Sequence, residues 1–153
     1  MSGCNEFVNK IKNEMLARPD WFSLTEPYKA KDEDITIAEQ KLGIILPKSY
    51  KCLVSNFSVG DFAFQIIYSL WKDSEFNLLK INQKYNNISK GFILFSDNEV
   101  GDFYGFKIFN NICLDEIWFY DHEVNQWEQT KYNTLFEIIY DVGLKLNSKN
   151  RPD

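Results

Sequence analysis

Apolar residues recur with the spacing of a helix near both ends of this chain and with the spacing of strands between them. Phe7, Ile11 and Met15 lie four residues apart and form one helical stripe. The middle of the chain instead carries short aromatic and β-branched runs. Helices, then strands, then a closing helix is the order typical of an α+β fold. We therefore predict a mostly antiparallel β-sheet flanked by N-terminal helices and a closing C-terminal helix.

Local signals give approximate bounds for the helices. Thr36 and Glu39 have the spacing of a capping box, and Gly43 follows where a C-terminal glycine is expected. Pro47 suits the first position of the next helix, and Gly60 is expected to end it. The predicted helices cover residues 7–16, 36–42, 47–59, 74–85 and 134–146.

The strand signals are shorter. Residues 92–95 form a continuous apolar run, which predicts a central strand, and residues 102–109 alternate. A polar triplet at residues 121–123 separates two further runs and predicts a hairpin. The predicted strands cover residues 62–68, 92–95, 102–109, 117–120 and 124–129.

The length of 153 residues predicts one domain over 1–153, with an N-terminal helix and loop before residue 35 and a polar tail at 147–153. No apolar run reaches the roughly 20 residues of a membrane span, and the charged start does not resemble a secretory signal. Cys4, Cys52 and Cys113 fit neither a disulfide framework nor a metal pattern. Free thiols predict a cytoplasmic protein, with Cys4 in a tail that lacks order.

Negative charge is concentrated in one part of the chain. The formal net charge is −5, and residues 97–128 contain eight acids against one lysine. A surface that binds nucleic acid directly would carry the opposite sign. The acidic stretch fits two interpretations equally well on charge alone: ordinary solvated turns, or a face that attracts a basic protein.

Two motifs resemble a known family. Residues 35–51 read ITIAEQKLGIILPKSYK, and residues 91–106 read GFILFSDNEVGDFYGF. Together with Tyr120, Trp127 and the closing helix, they resemble the SUKH (Smi/Knr-like) superfamily over residues 35–146, and the whole chain is similar to its YobK-type immunity proteins. The Gly-Gly pair that often ends the third helix in this family is replaced by Val59-Gly60.

The resemblance implies a sheet flanked by helices and a function without catalysis. Many bacterial members are immunity proteins that bind and neutralise a cognate toxin domain, commonly a nuclease, and fungal relatives act as regulatory interaction proteins. No catalytic residue set belongs to the family. We therefore expect an antitoxin that binds its toxin's nuclease domain, with a regulatory scaffold as the alternative and no cofactor.

The candidate partner-binding residues are the acids of the charged stretch together with one aromatic residue, because exposed aromatics beside charge are typical of protein interfaces. They are Asp97, Glu99, Asp102, Asp115, Glu116, Trp118, Asp121 and Glu123. Trp118 and Tyr120 share one face of their strand and Ile117 and Phe119 the other, and the sequence leaves open which pair is buried.

Catalytic and metal chemistry would depend on His122, the one histidine. It lies at a predicted hairpin tip, where a general base would be poorly held. Its acidic neighbours in sequence rarely converge on one ion, so we expect no metal site. A hydrolase that uses two carboxylates is the third hypothesis, and it requires a cleft in which two acids converge.

Overall fold

The order of elements follows the predicted one in the computed structural model, which describes residues 2–146. The helices are α1 (Ser2–Ala17), α2 (Asp32–Leu42), α3 (Lys48–Asn56), α4 (Leu78–Lys84) and α5 (Leu135–Ile138), which continues as a π-helical turn over Ile139–Gly143. A 3-10 turn covers Pro19–Phe22. The strands are β1 (Gly60–Phe62), β2 (Gln65–Ile67), β3 (Phe92–Asp97), β4 (Phe103–Phe109), β5 (Ile112–Asp121) and β6 (Gln126–Gln129).

The main sheet is an antiparallel meander in the order β3-β4-β5-β6, and β1 and β2 form a separate antiparallel ribbon. Backbone and side-chain hydrogen bonds attach the ribbon to β3. The Tyr68 amide donates to the Phe95 carbonyl at 2.8 Å, and Ser96 Oγ donates to the Ile66 carbonyl at 2.5 Å. The predicted α+β class with a mostly antiparallel sheet is confirmed.

One face of the sheet packs against the helices and forms the main core. Phe106 and Ile117 are fully buried there, and the Tyr50 ring of α3 meets Phe106 edge-on at 6.2 Å. Tyr50 is also fully buried, and its hydroxyl donates to the Tyr68 carbonyl at 2.7 Å. This bond satisfies a polar group that would otherwise be costly to bury.

The opposite face carries a second aromatic cluster. Trp127 of β6 stacks on Phe92 of β3 with the ring centroids 4.0 Å apart, and its Nε1 donates to the Ile88 carbonyl. The ring crosses β4 at Gly105, where an added Cβ would lie 2.9 Å from the indole. A glycine is therefore required at the point where the tryptophan crosses the strand.

Both faces of β5 are consequently covered. This answers which of the β5 side chains around Trp118 and Phe119 are buried. They point to opposite faces of β5, as neighbours in a strand must, and both are half-buried. The buried residues are Ile117 on one face and Tyr120 on the other. Each of the two predicted pairs, Trp118 with Tyr120 and Ile117 with Phe119, therefore contains one buried and one half-buried residue.

The predicted capping box at Thr36 and Glu39 is wrong. α2 begins at Asp32, four residues earlier, and the Asp34 carboxylate accepts from the Lys31 amide at 2.8 Å. Thr36 lies inside the helix, while Glu39 accepts from the Leu46 amide and pairs with a lysine of α3. The predicted C-terminal glycine is confirmed, since Gly43 has a φ of +67°.

Other predicted bounds shift by a few residues. Pro47 is the N-cap of α3 rather than its first residue, and α3 ends at Asn56, well before Gly60. The strand predicted at 62–68 is a ribbon whose turn contains Ala63 with a φ of +55°. The helix predicted at 74–85 starts only at Leu78, after an Asn77 cap. The cap at Thr134 is confirmed, and the tail at 147–153 lies outside the described residues.

The prediction of three free cysteines is wrong. Cys4 lies in α1, not in a disordered tail, and forms a disulfide with Cys52 of α3, with the two Cα atoms 5.9 Å apart. Sequence spacing missed it because the two residues are 48 positions apart and only helix packing brings them together. Cys113 is free and buried, as predicted. No described helix has the length and apolarity needed to cross a bilayer.

Candidate functional site

The meander gathers many of the acids at one end of the sheet. β3 and β5 both run towards this end, so the loop from β3 to β4 and the turn from β5 to β6 lie side by side there. Five of the predicted residues lie on these two connections or next to them. We call this set the acidic end: Asp97, Glu99, Asp102, Asp121 and Glu123. Residues 97–102 and 121–125 contain no lysine or arginine.

Asp102 ties the two connections together. Its Oδ1 accepts from the His122 backbone amide at 2.9 Å and lies 2.6 Å from His122 Nδ1. Its Oδ2 accepts from the Asn98 side chain at 2.9 Å. Gly101, with a φ of +100°, lies directly against the imidazole. His122 is thus fixed in place, although it is at the surface.

These contacts shift both ionisation equilibria. The hydrogen bonds from the His122 backbone, the His122 ring and Asn98 lower the pKa of Asp102 to about 2. The hydrogen bond to Asp102 raises the pKa of His122 above its ordinary value, helped by the nearby charges of Asp102, Glu123 and Asp121. Asp102 is therefore ionised across the physiological range and serves as an anchor for the histidine.

Asp97 and Glu99 present their carboxylates differently. Asp97 ends β3 and is half-buried. Its Oδ2 accepts from the Tyr68 hydroxyl at 2.5 Å, and its Oδ1 accepts from the Glu99 amide at 2.8 Å. Glu99 is exposed, with a φ of +67°. The loop therefore places one hydrogen-bonded carboxylate and one exposed carboxylate close together in sequence.

Asp115, Glu116 and Trp118 do not join the acidic end. They lie in the middle of β5, and five residues of strand place Glu116 about 16 Å from Asp121. Asp115 accepts from Ser49 of α3, and Glu116 accepts from Gln129 of β6. Trp118 is covered by Lys107, whose Nζ lies 4.6 Å from its ring centroid. These three residues form separate local contacts.

Asp102, Asp121 and His122 are also close enough to hold a metal ion, since one ligand atom from each lies within 4.8 Å of the others. The hydrogen bonds of Asp102 to His122 already account for this proximity. Exposed acids are commonly grouped in this way without an ion. The arrangement is explained as a structural tie between two turns.

Sequence reasoning missed the residues that adjoin the acidic end from the ribbon. Asp61, Phe64 and Gln65 lie next to the β3–β4 loop and line a cleft of about 300 Å³ with it. More than thirty positions separate these residues from Asp97, and no periodicity or motif links the two segments. The link exists only through the packing of β2 on β3.

Comparison with known proteins identifies the family. Residues 32–139, over two thirds of the chain, match the model of the family SUKH_6, described as SMI1-KNR4 cell-wall. The chain belongs to this family, and the resemblance to the SUKH superfamily is confirmed. No curated protein matches the chain. The more specific similarity to YobK-type proteins stays a prediction.

Proposed function

We propose that this protein is an immunity protein that binds and neutralises the nuclease domain of a bacterial toxin through its acidic end. Membership of the SUKH family supports an immunity-type, protein-binding role. The observation that carries the proposal is the convergence of five carboxylates on two adjoining connections that contain no lysine or arginine. We treat Asp115, Glu116 and Trp118 as secondary candidates, because they lie away from this end.

The charge of such a surface suits a nuclease. A protein that holds nucleic acid presents lysine and arginine to the phosphates, so its active surface is basic. An acidic partner can cover that surface and exclude the nucleic acid. Complementary charge mainly accelerates association and makes it sensitive to salt. The tie between Asp102 and His122 would hold the acids in place before the partner arrives, which lowers the entropic cost of binding.

Binding without catalysis is part of the proposal. A general acid needs a raised pKa, whereas the pKa of Asp102 is lowered to about 2. Asp97 is engaged by Tyr68 and by the backbone of its own loop. These features favour fixed charges that recognise a partner over carboxylates that exchange protons.

We place the complex in the cytoplasm of the toxin-producing cell, where a nuclease would do damage. The disulfide between Cys4 and Cys52 counts against a strongly reducing surrounding, since disulfides persist mainly in oxidising compartments. Trapping the thiols in intact cells with an alkylating reagent decides this point. A reduced pair in cells supports the cytoplasm, and an oxidised pair argues for another compartment.

Co-expression with the toxin encoded beside the gene tests the function. We expect survival of the cells and a complex that forms at low salt. A toxin that stays lethal, with no complex at low salt, would refute the proposal. A toxin gene in the neighbourhood also separates immunity from the regulatory alternative, which draws on the SMI1-KNR4 description of the family.

Charge reversal tests the surface. Glu99 and Glu123 are exposed, and neither carboxylate forms a hydrogen bond or salt bridge among the described residues. We expect Glu99→Lys/Glu123→Lys to weaken toxin binding at least tenfold, about 1.4 kcal/mol, mostly through slower association, with little change in stability. Surface plasmon resonance at several salt concentrations measures this.

The matched control is Glu6→Lys/Glu33→Lys, which makes the same change in charge at exposed positions of α1 and α2. We expect this variant to bind the toxin almost as the wild type does. An equal loss of binding in both variants would show that net charge, and not the acidic end, determines recognition.

A further inference from the structure

A cleft of about 300 Å³ lies between the β1–β2 turn and the β3–β4 loop, next to the acidic end. Its volume is at the lower limit of ligand pockets, which suits one side chain better than a cofactor. Three carboxylates line it, those of Asp61, Asp97 and Glu99, and no lysine or arginine is among the described residues of its wall. The cleft therefore favours a cation.

Two of the three carboxylates are uncommitted. Asp61 and Glu99 are exposed, and neither carboxylate has a hydrogen-bond or ion-pair partner within residues 2–146. The third, Asp97, is held by the Tyr68 hydroxyl and the Glu99 amide. The cleft thus combines one fixed acid with two that are free to close on a ligand.

Gln65 provides an independent indication of a ligand. Only 7% of it is exposed, and neither its amide oxygen nor its amide nitrogen has a hydrogen-bond partner. It lines the cleft, with Oε1 against Gly143, where an added Cβ would lie 3.0 Å away. A buried amide without partners costs about 1–3 kcal/mol. Both amide atoms lie below the surface as the side chain stands, so a donor from the partner would remove this cost once the Gln65 amide turns towards the cleft.

The wall also contains aromatic surface that could stack on a planar group. Phe64 is 45% exposed, and Lys145 Nζ lies 5.0 Å from its ring centroid. Tyr104 is half-buried and lines the same cleft. Lys145 therefore occupies one face of the Phe64 ring, which also packs against Trp21 with the ring centroids 4.8 Å apart, and a planar cation from the partner would have to displace Lys145. A guanidinium is planar, stacks on aromatic rings and is more weakly hydrated than an ammonium group.

We infer that this cleft binds an arginine side chain of the protein partner, an inference that rests on the proposed function and assigns the partner's anchor. The guanidinium has five donors in a planar fork. Carboxylates from Asp61, Asp97 and Glu99 would accept several of them, and the Gln65 amide oxygen would accept another. Lysine offers three donors on a point charge and would use the aromatic wall less well.

The isolated protein tests this with a small probe. We expect N-acetyl-arginine-N-methylamide to shift the backbone amide NMR signals of residues 61–66 and 96–99 in a saturable manner. The corresponding citrulline compound is similar in shape but neutral, and it should cause no such shifts. The lysine compound should bind several-fold more weakly. Absence of arginine-dependent shifts at these residues, or equal shifts with citrulline, would overturn the inference.

Two variants separate a binding role from a structural one. Gln65→Met keeps the size and removes the unpaired amide, so we expect unchanged or higher thermal stability together with at least threefold weaker probe binding. Asp61→Asn should weaken the probe similarly and leave stability unchanged. A less stable Gln65→Met variant that binds the probe normally would show that Gln65 is only structural.

The outcomes for the cleft and for the proposed function are distinguishable. If the toxin binds in a manner that depends on Glu123 while the probe and the Asp61 and Gln65 variants show no effect, the cleft assignment fails and the proposed function stands. If the probe binds but the neighbouring toxin does not, the cleft is real and the proposed function fails.

Discussion

Asp102 holds the β5–β6 turn against the β3–β4 loop through one carboxylate, and its contacts give this tie a pH dependence. The pKa of Asp102 falls from 3.8 to about 2, so its contribution to stability is present above pH 3.8 and is lost as the pH falls towards 2. The pKa of His122 is raised above 6.5, so its contribution is present below pH 6.5 and is lost as the pH rises through the raised value. The tie is strongest between pH 3.8 and 6.5.

The first prediction concerns the titration of His122. Asp102→Asn removes the charged hydrogen-bond acceptor, so we expect the pKa of His122 to fall back towards 6.5. Histidine ring signals followed by NMR against pH measure this directly. Glu123→Gln is the matched control and should lower the pKa less, because Glu123 acts only through its charge. An unchanged pKa in Asp102→Asn would show that the two side chains do not interact in solution.

At the scale of single elements, α2 shows why boundaries could not be read from the sequence. Thr36 has the residue type and the spacing to a glutamate that a capping box requires, yet the N-cap is Lys31, and Asp34 is the third helical residue, whose carboxylate accepts from the Lys31 amide. Contacts from outside the helix determine where α2 begins. The Tyr28 hydroxyl donates to Asp34, and the Ala30 amide donates to the Val54 carbonyl of α3. Both contacts fix the chain before residue 32 and let the helix begin early.

The second prediction belongs to this scale and concerns β4. In Gly105→Ala the new methyl group would lie 2.9 Å from the Trp127 ring and 3.0 Å from the Ile93 carbonyl oxygen, and the backbone atom cannot yield easily. We expect a loss of about 1–3 kcal/mol in the free energy of unfolding, the usual cost of overpacking. Urea denaturation followed by tryptophan fluorescence measures it.

The matched control for this substitution is Gly3→Ala in α1. Its methyl group would lie 3.7 Å from the Phe136 ring, an ordinary contact, and alanine favours helix. We expect stability equal to or above that of the wild type. A Gly105→Ala variant as stable as Gly3→Ala would show that Trp127 does not cross β4 closely.

At the scale of the whole molecule, the disulfide between Cys4 and Cys52 fastens α1 to the rest of the core. It closes a loop of 48 residues, and in the chain-entropy description such a crosslink stabilises the fold by about 4 kcal/mol. Phe7, near Cys4 in α1, stacks on Phe136 with the ring centroids 4.3 Å apart. Packing and crosslink therefore act on the same helix.

The third prediction follows from this crosslink. We expect a reductant to lower the free energy of unfolding of the wild type by a few kcal/mol and to leave Cys4→Ala/Cys52→Ala unchanged. Cys113→Ala is the control, since Cys113 is as buried as Cys52 but free, and burial raises the pKa of its thiol to about 12. This variant should respond to the reductant as the wild type does. A wild type that is insensitive to the reductant would contradict the crosslink.

The sequence shows the acidic stretch, but it does not show which of these acids meet at the end of the sheet and which lie in the middle of β5. Asp102 and Asp121 are 19 positions apart and meet because β4 and β5 are antiparallel neighbours with Phe103 opposite Tyr120. Asp115 and Glu116 are closer in sequence to Asp121, yet the rise of an extended strand carries them away. The acid that is far from Asp121 in sequence is therefore close to it in space, and the acids that are nearer in sequence are farther away.

The sequence by itself determined the class of fold, the order of helices and strands, the family and the acidity of one segment, because these depend on periodicity, turn residues and composition, which are local. The tertiary structure alone decided which acids converge, that Cys4 meets Cys52, and that Gln65 is buried without a partner beside Asp61 and Asp97. These facts depend on contacts between distant segments, and one sequence without its packing carries no local signal for them.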